Sequence, residues 1–342
     1  MVRRASAFLS LLGLALVFTS NAALAQYTET ILVADSTNTA TTANPPDPLL
    51  INAWGLVHGP GTPWWVADNG TGWSTLYTAS GAKVPIQVVV PGAKGNTGSP
   101  TGVVFNGSGQ FKIQGWKALF IFAGLDGTIS GWAPQVNFQS AILQVNKSAT
   151  KASYTALAIT NHASGPNFLF AADTANNKVD IFDDHFKPMG FFTDRTLPKG
   201  MTAFGVRDIG GLVYVSFADN AGGPGGVIDI FTENGTFVKR LAEGAPLNQP
   251  WGFAAAPANF GPLSNTLLVS NNTDNNGTIN AFNALTGAFV GTVNDANGNP
   301  IQIDQLWAID FGDGRGANGA TNQLFFTAGP AGNAQGIFGV IQ

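Results

Sequence analysis

Two aspartates, Asp208 and Asp310, are the side chains in this sequence that best suit a metal site. Each stands within an apolar stretch that is typical of a β-strand, "AFGVRDIGG" and "LWAIDFG". If the fold brings these two carboxylates together, they could hold Ca²⁺ or another divalent cation, because these ions take oxygen ligands. Arg207 and Arg315 lie nearby in sequence and could pair with the aspartates instead. The sequence therefore leaves a metal site and a pair of salt bridges open.

The three histidines, His58, His162 and His185, form no H-x-x-x-H or H-E-x-x-H motif of the kind that binds zinc. His58 and His162 each follow a predicted strand that opens a repeat, so both are expected near one end of a central channel. His185 follows a third strand and is expected on the outer side. The sequence contains no cysteine and no G-x-S-x-G motif, which excludes thiol catalysis and gives no sign of a serine nucleophile.

Four aromatic residues, Trp54, Phe204, Trp251 and Trp307, stand at the openings of predicted strands. Clustered indoles present a flat apolar surface with an N–H donor, and such a surface suits sugars or planar ligands. We therefore predict that these four residues contact a ligand at one end of the channel. The alternative is that each indole fills the space between adjacent structural units.

An internal repeat positions all of these residues. A triplet with a small central residue opens each copy, and a second apolar strand and a third alternating strand follow it. The copies are spaced by roughly fifty residues, which is typical of propeller blades. The small residues are Gly55, Gly102, Ala156, Gly205, Gly252 and Ala308.

The repeat predicts an all-β fold, a six-bladed β-propeller. Turns such as "LDGT" and "ENGT" place Asp-Gly or Asn-Gly where a hairpin needs positive φ. The sixth copy reaches the C-terminus after three strands, and "ETILVADS" (29–36) precedes the first copy. Pairing this N-terminal strand with the last blade would close the ring and remove two open edges. The three tryptophans would then belong to neighbouring blades.

The first 25 residues read as a secretory signal peptide. Arg3 and Arg4 precede an apolar stretch at 7–18, and Ala23-Leu24-Ala25 gives an A-x-A cleavage site. No later segment is apolar for long enough to span a bilayer. Residues 26–342 are therefore expected to form one exported domain, secreted or periplasmic. Lys and Arg total 16 against 20 Asp and Glu, and this acidic balance argues against a nucleic-acid partner.

Motifs along the whole mature chain resemble an uncharacterised family of exported bacterial proteins. They are "NAWGL", "WVADNGTG", "DGTISGW", "PLNQPWGFA", "GTINAFNALTG" and "LWAIDFG". Members of that family look like NHL-type six-bladed propellers, and some carry PEP-CTERM sorting tails. The resemblance implies the fold and export, and it implies no activity. This chain ends at "GIFGVIQ" without such a tail, which implies release or a periplasmic location.

Two functions are compatible with these observations. The first is a binding or scaffold module that recognises a glycan, a peptide or an envelope partner with one end of the channel. The second is a hydrolase or lyase that uses a divalent cation held by Asp208 and Asp310. Acidic residues and histidines are sparse on the predicted axial strands, and this favours binding.

Overall fold

Six four-stranded antiparallel sheets surround one axis in the computed structural model, which describes residues 27–342. The first strand of each sheet packs against the first strand of the next sheet, and the sixth packs against the first. The chain is therefore a closed six-bladed β-propeller, as the repeat predicts. The predicted signal peptide, residues 1–25, lies outside the described residues. No helix within 27–342 is long and apolar enough to cross a bilayer.

The strands follow the chain blade by blade, and the first strand of each blade is called its inner strand. Blade 1 contains β2 (Ala53–Val57), β3 (Trp64–Asp68), β4 (Trp73–Tyr77) and β5 (Lys83–Val89). Blade 2 contains β6 (Pro100–Phe105), β9 (Phe120–Gly124), β10 (Thr128–Trp132) and β11 (Ile142–Asn146), with a small hairpin of β7 (Lys112–Ile113) and β8 (Trp116–Lys117). Blade 3 contains β12 (Tyr154–Ile159), β13 (Leu169–Asp173), β14 (Lys178–Phe182) and β15 (Pro188–Phe192).

The second half of the ring repeats this order. Blade 4 contains β16 (Met201–Ile209), β17 (Leu212–Asp219), β18 (Val227–Thr232) and β19 (Phe237–Glu243). Blade 5 contains β20 (Pro250–Ala255), β21 (Leu267–Asn271), β22 (Ile279–Phe282) and β23 (Phe289–Thr292). Blade 6 contains β24 (Leu306–Phe311), β25 (Leu324–Ala328), β26 (Ile337–Ile341) and, as its outermost strand, β1 (Glu29–Ala34). Short helical turns are Ser148–Thr150, Thr174–Asn176, Gly261–Leu263, Gly316–Asn318 and Pro330–Asn333.

The N-terminal strand closes the ring as predicted. β1 pairs antiparallel with β26, from Glu29 opposite Ile341 to Ala34 opposite Ile337. One blade is thus built from both ends of the described chain. This pairing satisfies the backbone groups of β26 that would otherwise form an open sheet edge.

The blades are buried on both faces because each blade packs between two others. Every residue of the second strands β3, β13 and β25 is buried. A strand covered on both sides reads as a continuous apolar run rather than an alternating one, which explains "WWVAD" and "LFFTA". The outermost strands face solvent, and four of the five residues of β15 are exposed.

The repeated small residue lets neighbouring inner strands approach each other. A Cβ atom at Gly205 would overlap the carbonyl oxygen of Trp251 on the next blade. Hydroxyl groups then link the blades at the same level. The Oγ1 of Thr155 donates to the carbonyl of Phe204 at 2.7 Å, and the Oγ of Ser270 donates to that of Trp307 at 2.6 Å. The close approach of backbones and these hydrogen bonds hold the ring together around the axis.

Candidate functional site

A cavity of about 280 Å³ lies where the inner strands end, and we call it the mouth cavity. The end of β2 contributes His58, and Asn161 follows β12. The inner strand of blade 4 contributes two charged residues, and that of blade 6 contributes one. Aliphatic side chains and one aromatic ring complete the wall. The polar lining residues are His58, Asn161, Arg207, Asp208 and Asp310, and the ring is Phe105.

Arg207 and Asp310 form an ion pair across this cavity. The Nη2 of Arg207 donates to Oδ2 of Asp310 at 2.7 Å, and the two side chains are 36% and 15% exposed. The other carboxylate oxygen of Asp310 accepts from the backbone N–H of Phe311 at 2.9 Å. The two predicted aspartates therefore do line one cavity. Asp310 pairs with Arg207, the arginine that precedes Asp208 in sequence. Arg315 does not line this cavity, and its backbone N–H donates to Asp313 at 2.8 Å.

Among residues 27–342, Asp208 forms no salt bridge, unlike Asp310, the other carboxylate of the cavity. Burial raises the pKa of Asp208 to about 6, and the charge of Glu233 adds to this effect. The Oδ2 of Asp208 is buried and has no hydrogen-bond partner among residues 27–342. Glu233 holds His162 at 2.8 Å through Oε2, while its Oε1 is also buried without a partner in the described chain. Two carboxylate oxygens on blade 4 are therefore unsatisfied within the described chain, and one of them belongs to a residue that lines the mouth cavity, Asp208.

His58 is held rigidly between blades 1 and 6. Its Nε2 donates to the carbonyl of Phe311 at 3.0 Å, and its Nδ1 lies 3.1 Å from Nδ2 of Asn318. The ring also packs edge-on against Trp64, with centroids 4.6 Å apart. These contacts position the imidazole at the mouth cavity. His185, in contrast, contacts Asp184 in the turn between β14 and β15, on the outer side of blade 3.

The four predicted aromatic residues meet near the starts of the inner strands, and we call this cluster the tryptophan plug. Trp54 and Trp307 stack with ring centroids 3.7 Å apart, and Trp251 lies edge-on to Trp307 at 5.5 Å. Phe204 approaches Trp307 at 5.9 Å. The three indoles are 7%, 3% and 7% exposed for Trp54, Trp307 and Trp251. The structure thus unites the four residues, and packs them as a plug at the axis; their contact with a ligand stays a prediction.

The plug and the mouth cavity occupy different levels of the same axis. A small cavity of about 40 Å³ lies between them, lined by inner-strand residues that include Gly102, Val206 and Trp251. One end of the central channel is open and carries polar side chains, whereas indoles fill the other end. The mouth cavity is therefore the candidate site. Sequence patterns did not identify Glu233 and Asn161, because both stand in turns whose approach to the axis depends on the ring.

Asp208→Asn is expected to stabilise the fold at pH 8 by about 1 kcal/mol. The folded state holds the Asp208 proton more tightly than the unfolded state does. The contribution of Asp208 to the free energy of unfolding is therefore largest below about pH 4, and it is lost as the pH rises through about 6. A shift of this size corresponds to at most about 3 kcal/mol, and solvent screening of this half-exposed group reduces it. Urea unfolding at pH 8 and pH 4 measures the difference, which should vanish at pH 4.

Asp184→Asn is the control, because the side chain of Asp184 contacts an exposed histidine in its own turn. It should leave the free energy of unfolding unchanged within about 0.5 kcal/mol. A loss of stability in Asp208→Asn at pH 8 would show that the ionised carboxylate has a favourable partner, contrary to the unpartnered state of its Oδ2 within residues 27–342.

Comparisons with known proteins give relatives and a shared fold. No known family model matches this chain. It is 30% identical to uncharacterized protein R648 of Acanthamoeba polyphaga mimivirus, over 91% of this chain and 78% of that protein. It is 31% identical to uncharacterized protein L690 of the same virus, over 76% of this chain and 73% of that protein. These relatives are viral, so the predicted kinship with exported bacterial proteins stays a prediction.

Solved structures with a similar fold include two propeller lyases. A streptogramin B lyase structure superposes with a TM-score of 0.55 at 11% identity, covering 92% of this chain and 97% of that one. Virginiamycin B lyase from Staphylococcus aureus superposes with a TM-score of 0.54 at 12% identity, covering 93% and 99%. At this level of identity the similarity shows the fold alone.

Proposed function

We propose that this chain, which belongs to the same family as the uncharacterised mimivirus proteins R648 and L690, is an exported binding module that holds a small ligand in the mouth cavity. Because those relatives are uncharacterised, the proposal is based on the site of this chain. One observation carries the proposal. Side chains from four blades, His58, Asn161, Arg207 with Asp208, and Asp310, converge on a single cavity. Convergent polar groups in a preformed concave site are the usual mark of a ligand site.

The size of the mouth cavity limits what it can hold. Its volume of about 280 Å³ lies near the lower end of the range for small-molecule sites, roughly 300–1,000 Å³. One sugar ring or one amino-acid side chain fits this space better than a folded partner. A glycan, peptide or envelope component would therefore insert a single residue into the channel.

The site is also preorganised, which lowers the entropy cost of binding. The ion pair between Arg207 and Asp310 fixes two charged groups, and the hydrogen bonds of His58 fix the imidazole. Phe105 supplies an apolar wall against which a ring or an alkyl chain can pack. A ligand thus meets polar groups that already have their bound geometry.

A second candidate function is a hydrolase or lyase, and the raised pKa of Asp208, to about 6, favours it. A carboxyl group that titrates near neutral pH can act as a general acid or base. Ca²⁺ or another divalent cation on Asp208 and Asp310 would have to compete with Arg207 for Asp310. Elemental analysis of the purified protein tests this candidate, and a stoichiometric metal would favour the enzyme over the binding module.

Blocking the mouth cavity tests the binding function. Asn161→Trp places an indole on the exposed rim, where it enlarges no core residue. Saturation-transfer NMR would compare glucose, glucosamine, glucuronate, N-acetylglucosamine and capped amino acids with the native protein and with this variant. We expect at least one probe to bind the native protein and to lose binding in Asn161→Trp. Asn297→Trp, an exposed position in the β23–β24 turn, is the matched control and should retain binding. Equal binding to both variants, or no binding by any probe, would contradict the proposal.

Export is part of this proposal and is supported by the basic start, the apolar stretch and the A-x-A site of residues 1–25. A mature protein recovered from the secreted or periplasmic fraction should begin at Gln26. Mass spectrometry of its N-terminal peptide makes the measurement, and an intact Met1 peptide in the folded product would contradict export by this signal.

A further inference from the structure

We propose that the mouth cavity selects ligands that carry a protonated primary amine, which Asp208 binds. The inference deepens the proposed function and rests on it, because it names the chemical group that enters the same cavity. Three features of the described residues lead to it: the charge of the lining, the hydrogen-bond inventory and the aromatic wall.

The charge of the lining favours a cation. The charged residues of the cavity are Arg207, Asp208 and Asp310. The guanidinium of Arg207 is bound to Asp310 at 2.7 Å, and Asp208 has no salt-bridge partner in the part of the chain that the structure describes. Together, Arg207, Asp208 and Asp310 carry one net negative charge. An anionic ligand would meet two carboxylates and an arginine that is already paired, whereas a cation supplies the missing charge.

The hydrogen-bond inventory favours a ligand that donates. Asp208 lines the cavity, and its Oδ2 is a buried acceptor without a partner in residues 27–342. Glu233 also raises the negative potential at Asp208, as its effect on the pKa of that carboxyl shows. An ammonium group has three N–H donors and no acceptor. Hydrogen bonds from a charged donor to a carboxylate are about twice as strong as neutral ones, so an ammonium meets this acceptor better than a hydroxyl group does.

The aromatic wall is compatible with a cation. Phe105 lines the mouth cavity, and the Nζ of Lys117 lies 5.6 Å from the centroid of its ring. The ring therefore already interacts with one ammonium group of the protein itself. Attraction between a cation and an aromatic face extends to about 6 Å, and a ligand ammonium within the cavity would share this ring with Lys117.

Isothermal titration with probes matched in size separates charge from shape. Glucosamine, glucose and glucuronate share a ring and differ in charge, and N-acetylglucosamine removes the charge of glucosamine. Capped lysine, compared with capped norleucine, presents the same amine on a peptide. We expect glucosamine or capped lysine to bind at least about tenfold more tightly than its uncharged partner. The tighter of the two identifies the source of the amine.

The variant Asp208→Asn connects the preference to its residue. It should abolish the advantage of the amine, so that glucosamine binds no better than glucose, while Asp184→Asn retains it. Binding of capped lysine, whose ammonium stays protonated over this range, should also weaken about tenfold between pH 7.5 and pH 5, as Asp208 becomes protonated. The other titratable or charged groups that face Asp208 are Glu233, His162 and Arg207, so the pH profile is measured in Asp208→Asn as well, where the dependence should disappear.

Each outcome has a defined meaning. Equal or tighter binding of glucose or glucuronate than of glucosamine, without an advantage for capped lysine, overturns the amine preference and leaves the binding function standing. An amine advantage that persists in Asp208→Asn overturns the role of Asp208. Failure of every probe, charged or neutral, overturns the binding function together with this inference.

Discussion

Replacing Trp307 by alanine is expected to lower the free energy of unfolding by about 3–5 kcal/mol, which is typical for a buried tryptophan. Trp307 is 3% exposed, stacks on Trp54 at 3.7 Å and contacts the edge of Trp251. Its Nε1 also donates to Oδ1 of Asn52 at 3.2 Å. Alanine would leave a cavity at the axis, where several blades meet and none can move inward alone. Equilibrium unfolding in urea measures the change.

Trp116→Ala is the matched control for this prediction, because Trp116 is 53% exposed in the small hairpin of blade 2. Its loss should cost less than about 1 kcal/mol. A similar small cost for Trp307→Ala would contradict the packing role of the plug. Binding of the amine probes to a folded Trp307→Ala protein then tests the ligand contacts predicted for these indoles: unchanged binding assigns them to the fold, and weakened binding supports the prediction.

Replacing Arg240 by alanine is expected to cost about 3–5 kcal/mol at pH 8, since it leaves buried carboxylates without their cation. The guanidinium holds Asp194 at 2.6 Å, Asp229 at 3.1 Å and Glu243 at 2.8 Å. The side chain of Asp229 is fully buried and that of Asp194 is 6% exposed. The arginine therefore joins the outermost strand of blade 4 to the residues that follow blade 3.

The cost of Arg240→Ala should depend on pH. Burial raises the pKa of Asp229 to about 7 in the folded protein, above its ordinary value, so the ionised form destabilises the fold. Stability from this group is full below about pH 4 and is lost as pH rises through about 7. A protonated Asp229 needs no cation, and the cost of the variant should therefore be smaller at pH 5 than at pH 8. Urea unfolding at both values gives the comparison.

Arg195→Ala provides the control, because Arg195 is an exposed arginine next to Asp194 in sequence. Its effect should stay within about 0.5 kcal/mol. Equal stabilities of Arg240→Ala and Arg195→Ala would show that the buried carboxylates find other partners. A cost that grows as the pH is lowered would contradict the assignment of the raised pKa to Asp229.

Much of the architecture follows from local signals in the sequence. Glycines in the predicted hairpin turns, such as Gly127 and Gly235, do have positive φ, at 73° and 82°. The small residue in each repeat indicates the position of each blade in the sequence. The overlap of a Cβ at Gly205 with Trp251 explains why a small residue is needed there. These patterns are readable because turn conformation and close backbone contact restrict the residue type directly, position by position.

The candidate site follows from the sequence only in part. Asp208 and Asp310 were predicted to approach one axis, and they do line one cavity. Whether they bind a metal cation or an arginine side chain depends on the distances between side chains of blades 4 and 6 across the channel. Arg207 reaches Asp310 there at 2.7 Å, and no spacing along the chain encodes that distance. Glu233 reaches the neighbourhood of Asp208 for the same reason, through a turn that reads as an ordinary hairpin.

The sequence by itself determined the number of blades, the strand that closes the ring and the residues that open each inner strand, because period, turn chemistry and backbone contact act locally or repeat regularly. Only the tertiary structure decided which ends of the inner strands are open and which are filled by indoles. It also decided that Asp310, rather than Asp208, pairs with Arg207. Charge pairing and burial at the axis depend on residues from different blades, and these residues come together only when the ring closes.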